Sequence, residues 1–113
     1  MPTDVELAIE AQIGPITSVE LGEIDPLLVD EGEKLFSLRC TACHQLENAT
    51  VGPPLKNILE KHSPVYVSNM ILNPTEMLQK HPDAKALLDK FAVPMPDLGI
   101  SETEARAIFE YLR

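Results

Sequence analysis

The sequence Cys40-Thr41-Ala42-Cys43-His44 is the segment of this chain that decides its fold. Two cysteines three positions apart, with a histidine directly after the second, form the attachment signature of c-type haem. At this spacing two thiols can each bond one vinyl-derived carbon on the same edge of a porphyrin. The next residue then lies beneath the ring, where a neutral imidazole nitrogen can take an axial position on iron. The motif predicts one covalent haem c, attached at Cys40 and Cys43, with His44 as the proximal iron ligand.

A zinc site, a redox pair and a local disulfide each account for less of this motif. A structural zinc site normally needs four ligands, and two cysteines with one histidine supply only three. A thioredoxin-like redox pair belongs in a βαβ setting, for which the sequence shows no pattern. A local disulfide would leave His44 without a role. Haem attachment uses all three side chains.

The composition fits a domain built around a cofactor. The chain has 113 residues, which favours one domain, and it holds three Phe, two Tyr and no Trp. A buried haem would supply the flat apolar mass that these few aromatic residues do not. Both cysteines lie in the motif, so no structural disulfide is expected.

The location is inferred from the cofactor and from the chain's ends. No run of about 20 apolar residues is present, so no membrane span is expected. No signal peptide is visible at the polar, acidic start of the chain. Because haem c is normally attached outside the cytoplasmic membrane, we expect a periplasmic protein or one on the outer face of that membrane. Its export signal or anchor is then a segment missing from this sequence.

The net charge of −9 is concentrated in the first third of the chain. Residues 1–33 contain nine acidic residues and no Lys or Arg, whereas residues 34–113 contain nine of each sign. Nucleic acid binding is not expected, because phosphate recognition needs a basic surface. The acidic segment could steer a basic protein partner, or it could only keep the surface soluble.

The start of the chain predicts one helix and an extended segment. A capping box at Thr3 and Glu6 predicts a helix over about 4–12, and Gly14 is placed to end it. Residues 14–24, called the strap below, show only a loose apolar alternation and predict extended backbone. Residues 1–24 carry too many apolar side chains for a linker, so we expect them to pack on the core.

The remaining helices are marked by capping residues and prolines. Asp25-Pro26 predicts a helix that runs directly into Cys40, and Gly32 on its buried face predicts close crossing by another helix. Three more helices should start at Pro64, Pro74 and Pro82, with a short turn near residues 55–59. A capping box at Ser101 and Glu104 begins the last helix. No strand pattern of comparable strength exists, so the predicted class is all-α with short helices.

The sixth iron position has five candidate ligands: Met70, Met77, Met95, His62 and His81. Met95 lies between Pro94 and Pro96 in a segment without periodicity, and two fixed prolines reduce the entropy lost when a loop presents one side chain. The other two methionines lie on apolar stripes and are expected to pack in the core. The two histidines lie at helix boundaries and are expected to face solvent. Met95 is therefore the predicted distal ligand. A histidine ligand, or no sixth protein ligand, remains as an alternative.

Taken in order, these segments resemble the monohaem class I cytochromes c. The resemblance covers roughly residues 25–113, as a cytochrome c domain, and leaves residues 1–24 as an N-terminal extension. It implies short helices wrapped around a covalent haem, with the first and last helices crossing. The matching stretches are Gly32 to Phe36, Cys40 to His44, Gly52-Pro53-Pro54-Leu55, Met95-Pro96 and Ala105 to Leu112.

The resemblance also implies roles for individual residues. His44 and Met95 would be the axial pair, and the carbonyl of Pro53 would accept the second ring N–H of His44. An aromatic ring common on the central helix of the family is absent here. Tyr66 is its only substitute, and Tyr66 and Met70 are expected to line the haem pocket.

The function implied is one-electron transfer by a monomeric carrier that is not itself an enzyme. Its expected partners are a donor of the quinol–cytochrome c reductase type and an acceptor that is a membrane-bound terminal oxidase or reductase. One alternative is an electron-entry domain excised from a larger oxidase or reductase. Another is a haem sensor or peroxidase in which Met95 dissociates from iron.

Overall fold

The computed structural model describes residues 8–10 and 12–113. In this part of the chain every regular element is a helix, which confirms the predicted all-α class. None of these helices is both long and apolar enough to cross a membrane. The helices that lie wholly within residues 12–113 are α1 Pro26–Arg39, α2 Ile58–Lys61, α3 Pro64–Leu72, α4 Pro74–Lys80, α5 Pro82–Phe91 and α6 Glu102–Leu112.

The predicted N-terminal helix over about 4–12 is only partly covered. Residues 8–10 are helical and residue 12 lies in a turn, while residues 1–7 and 11 lie outside the described part of the chain. The strap follows without helix or strand.

Two of the predicted caps, at Asp25 and Ser101, act where the sequence places them, whereas the capping box at Thr3 and Glu6 lies outside the described residues. The carboxylate of Asp25 accepts the backbone N–H of Leu27 at 3.0 Å, and Pro26 occupies the first turn of α1. At α6, the Ser101 hydroxyl accepts the N–H of Glu104 at 3.1 Å, and the Glu104 carboxylate accepts the N–H of Ser101 at 3.0 Å. Each bond satisfies a backbone donor that the first turn of a helix leaves unpaired.

Helices α1 and α6 form the main helix crossing of the molecule. Gly32 is buried at the crossing and lies directly against Ala107 and Tyr111. One turn further on, the rings of Phe36 and Tyr111 pack with centroids 5.4 Å apart, and Ile108 completes this cluster. Glycine is needed in α1 because a side chain would separate the two helices.

A second apolar cluster joins α3, α4 and α6. Val67, Met77 and Phe109 are buried there, with Met77 in the core as predicted. Ile13, which comes just before the strap, is buried in the same cluster, and Val19 of the strap packs against it. The strap therefore closes one side of the core.

The backbone near residue 14 is held by polar side chains of α3 and α4. The buried Asn69 amide donates to the carbonyl oxygens of Ile13 and Ile16, at 2.8 Å each, and its Oδ1 accepts the N–H of Ile16 at 3.1 Å. Glu76 accepts the N–H of Gly14 at 2.7 Å. Nothing in the sequence indicated this role for Asn69, which stands alone on an otherwise apolar helix face.

Candidate functional site

One cavity of about 410 Å³ brings the predicted site together. This volume lies within the range of about 300–1,000 Å³ typical of small-molecule and cofactor sites. Every residue that the sequence and the resemblance assigned to the site lines it, from loops and helices that are distant along the chain. These residues are Cys40, Cys43, His44, Pro53, Tyr66, Met70 and Met95.

The cysteine motif forms one wall of the cavity at the end of α1. The N–H of Cys40 donates to the carbonyl of Phe36 at 2.8 Å, so the helix continues to the first cysteine. The N–H groups of Cys43 and His44 then both donate to the Cys40 carbonyl, at 3.1 and 2.9 Å, which coils the motif into one tight turn. Both thiols are free. Burial raises the pKa of the Cys40 thiol, although the nearby Arg39 charge opposes this shift.

The His44 ring is oriented by the loop that follows it. Its Nδ1 lies 3.0 Å from the carbonyl oxygen of Pro53. Because a carbonyl only accepts hydrogen bonds, this contact places the proton on Nδ1 and leaves Nε2 free to bind a metal. Gly52 lies against the ring, and a Cβ atom added to it would come within 2.6 Å of the His44 Cε1.

Met95 enters the cavity from a loop that is fixed at both ends. Helix α5 ends where Ala92 adopts a left-handed conformation, with φ 63°, and turns the chain into this loop. After Met95, the Asp97 carboxylate accepts the N–H of Gly99 at 2.9 Å, and Ile100 is buried in the core.

The rest of the cavity wall is mainly apolar, which excludes water from a bound group. The apolar side chains come from all six helices α1–α6 and from the loop before α2. They include Phe36, Leu55, Ile58, Val67, Ile71, Leu78, Leu87, Leu88, Phe91, Ile108 and Leu112.

The Tyr66 hydroxyl is a buried donor without a partner among the described residues. Its ring is stacked on His62, with centroids 4.0 Å apart, and meets His81 edge-on at 4.8 Å. Burial raises the pKa of Tyr66 well above its usual value, and the charges of Asp83 and Glu10 add to this. The hydroxyl therefore stays protonated and needs an acceptor. A haem, which carries carboxylate groups, fits both this donor and the thiols and imidazole that line the same cavity.

Behind Tyr66 lies a buried polar cluster that the sequence did not indicate. Glu10 and His81 are only 2% and 1% exposed, and His81 Nε2 lies 3.1 Å from the Glu10 carboxylate. The same carboxylate accepts the Ser63 hydroxyl, and His81 Nδ1 accepts the N–H of Asp83 at 3.1 Å. Because Nδ1 is the acceptor, Nε2 carries the proton and donates to Glu10.

The structure corrects the prediction that the two histidines, His62 and His81, face solvent. His81 is buried because a carboxylate 71 positions earlier in the chain satisfies it, a pairing that local sequence cannot show. His62 is partly buried against Tyr66 and lines the cavity. The one local signal for His81 was its position before Pro82, where its ring caps the start of α5.

Comparisons with known proteins agree with this geometry. The family model described as Cytochrome c matches residues 29–113. Cytochrome c-551 of Stutzerimonas stutzeri is 29% identical over 90 residues, which cover 79% of this chain and 81% of the relative.

Two solved structures superimpose closely on the chain. Cytochrome c from Rhodothermus marinus is 44% identical, with a TM-score of 0.92, over 95% of this chain and 93% of that one. An engineered form of that protein, Rma TDE, bound to a carbene intermediate, has a TM-score of 0.87 at 44% identity over 95% and 94% of the two chains. The expected class I cytochrome c fold is thereby confirmed.

Covalently bound haem c and haem-based electron transfer follow from the family match and from the paired cysteines. They follow equally from the similarity to cytochrome c-551 and to the cytochrome c of Rhodothermus marinus. The chain belongs to the cytochrome c family, as a monohaem class I member.

Proposed function

We propose that this protein is a one-electron carrier whose haem is attached by thioether bonds at Cys40 and Cys43 and ligated by His44 and Met95. One observation carries this proposal. The oriented His44 ring and the loop-borne Met95 line the same cavity as the two free thiols.

Groups of the protein itself have three tasks in this function. Bound haem iron supplies a one-electron couple between the ferrous and ferric states. The Pro53 carbonyl keeps the proton on His44 Nδ1, so that Nε2 is always available to the metal. Met95 offers a thioether, which favours the ferrous state more than a second histidine would. The apolar wall excludes water, which also disfavours the extra positive charge of the ferric state.

Tyr66 and Met70 are proposed as pocket residues with different roles. Met70 fills space on the α3 side and also packs against the core cluster. Tyr66 offers its hydroxyl as a hydrogen-bond donor to the bound group, because no described side chain accepts it. Its position between two imidazole rings holds that donor still.

The wider setting is proposed from chemistry and family. We place residues 1–24 as an extension to a cytochrome c domain of residues 25–113; the family match, which begins at residue 29, supports this division. The protein is a monomeric carrier without enzyme activity of its own, in the periplasm or on the outer face of the membrane. It takes electrons from a donor of the quinol–cytochrome c reductase type and passes them to a terminal oxidase or reductase.

A redox titration tests the carrier function. The chain is produced in a host that attaches haem c, and its absorption spectrum is followed against applied potential. We expect a reversible transition with the slope of a single electron, and slow or absent binding of carbon monoxide by the ferrous protein. Rapid carbon monoxide binding would instead support a sensor or peroxidase with an open iron position, and the absence of a reversible couple would refute the carrier.

A further inference from the structure

The outer face of α1 exposes two leucines that no described part of the chain covers. Leu27 and Leu38 are 79% and 81% exposed, the highest values among the large apolar side chains of the described residues. They are eleven positions apart, which is about three turns and about 16 Å along one side of a helix. Between them, Asp30, Glu31 and Lys34 line the same surface depression as both leucines.

The segment before α1 adds further apolar and acidic side chains. Leu21 and Ile24 are also exposed, at 50% and 54%. Although its side chains are exposed, the strap backbone is fixed here. Arg106 donates to the carbonyl of Glu20 at 2.8 Å, and Arg113 donates to the carbonyl of Gly22 at 2.6 Å.

The charges around these apolar side chains are mainly negative, with Lys34 as the one cation among the residues that line the depression. Every charged residue from position 20 to position 33 is acidic, and the first cation is Lys34. We define the α1 face as the exposed residues Leu21, Glu23, Ile24, Leu27, Asp30, Glu31, Lys34 and Leu38, which carry three acidic side chains and one cation.

The α1 face leads directly to the cofactor site. Helix α1 ends at Arg39, and both Arg39 and Cys40 line the cavity. Leu38 is thus two positions from the first attachment cysteine. A protein seated on this face would lie beside the haem-bearing end of α1, which suits an electron-transfer contact.

We propose that the α1 face docks a redox partner whose own surface has an apolar centre and a basic rim. This inference rests on the proposed electron-carrier function. Burial of the exposed leucine and isoleucine side chains against a partner gives affinity, and opposite charges on the two surfaces raise the rate of encounter. The charge of the face argues against two other occupants, because a second copy would bring its own acidic residues into contact and anionic lipid would be repelled.

A synthetic helical peptide serves as the probe for this chemistry. It carries leucines along one stripe and lysines on both flanks, and a control peptide has serine in place of each leucine. Each is added to the isotope-labelled, haem-loaded, reduced protein, and amide signals are followed by NMR. We expect the leucine peptide to shift signals within residues 20–38, and the serine peptide to bind at least about tenfold more weakly.

Two variants test the two parts of the proposal. Leu27→Ser combined with Leu38→Ser should weaken binding of the leucine peptide about tenfold, because each leucine loses contact area. Asp30→Asn combined with Glu31→Gln should weaken it about threefold and flatten its dependence on salt. Glu60→Gln, an exposed change on α2, is the matched control and should leave binding as in the parent.

Other outcomes would overturn the docking proposal. Peptide-induced shifts confined to other surfaces, or equal affinity for the parent and the double-leucine variant, would show that the face is not a docking surface. Self-association that the leucine changes abolish would assign the face to a second copy. Binding to vesicles containing anionic phospholipid that these changes abolish would assign it to a membrane.

The redox state of the same samples separates this inference from the proposed function. Each sample is first cycled between ferrous and ferric forms with ascorbate and ferricyanide. A parent protein that does not cycle by one electron refutes the carrier function itself. A parent that cycles normally but binds the peptide elsewhere refutes only the docking face.

Discussion

A Cβ atom built on Gly32 would overlap the carbonyl oxygen of Ala107. The backbones of α1 and α6 are therefore in direct contact at this point. The atom that would be struck belongs to backbone inside a helix, so it cannot move aside without displacing α6. The helix crossing that brings Cys40 to the cavity therefore depends on residue 32 being glycine.

Gly32→Ala should destabilise the fold despite the better helix propensity of alanine. We expect the free energy of unfolding to fall by about 1–3 kcal/mol, the usual cost of overpacking. Gly22→Ala is the matched control, because nothing lies within 4 Å of a Cβ there. Chemical denaturation of both variants measures the difference. Equal stability for the two would show that the helices do not meet at Gly32.

Glu10→Ala should destabilise the protein through its buried partners. It leaves the Nε2–H of His81 and the hydroxyl of Ser63 without their acceptor. Each buried donor left unpaired costs about 1–3 kcal/mol. The exposed Glu60→Ala serves as the control, since its carboxylate lies in solvent. Denaturant unfolding that is the same for both variants would contradict the buried cluster.

Tyr66 should make stability fall at alkaline pH. Its pKa is raised in the folded protein by burial, whereas in the unfolded chain it is about 10. Below about pH 10 tyrosine is protonated in both states, so this contribution is fully present. Above that pH the unfolded chain loses the proton while the folded protein keeps it, so stability falls. Tyr66→Phe should show a smaller alkaline loss, measured as the free energy of unfolding from about pH 8 to 11. Identical pH profiles would show that the hydroxyl is not buried.

Arg106 and Arg113 should hold the strap on α6. Both donate to strap carbonyls, and both form ion pairs with the buried Glu110. Replacing both arginines by alanine should speed amide hydrogen exchange in residues 19–24 severalfold or more. Local opening of the strap would then cost less free energy, because it would no longer require these hydrogen bonds to be broken. Amides within α3 are the internal reference and should keep their rates. Unchanged exchange in the strap would mean that other contacts hold it.

The sequence predicted those parts of the fold that depend on local chemistry. Capping residues and prolines marked the starts of α1 and α3–α6, because they satisfy or remove backbone donors within a few positions. Gly32 predicted the helix crossing for a similar reason, since only a close approach accounts for glycine on a buried face. The haem motif was predictable because its spacing is set by the porphyrin edge.

The sequence did not predict contacts between distant polar residues. In the sequence, nothing marked Asn69 as more than one residue of a helix, and His81 was expected to face solvent. In the structure both are buried, with hydrogen-bond partners in the N-terminal segment. Such pairs leave no periodic pattern, because each member is satisfied by a residue more than 50 positions away. The solvent-facing prediction for His81 failed for this physical reason.

Axial ligation of the haem iron by Met95 is tested by the spectrum of Met95→Ala. Absorption and magnetic circular dichroism spectra of the ferrous and ferric forms are recorded, together with the reduction potential, for this variant and for Met70→Leu. We predict that Met95→Ala loses the low-spin spectrum and shifts its potential, whereas Met70→Leu remains low-spin. A Met95→Ala protein that stays low-spin at the parent's potential would show that Met95 is not the distal ligand.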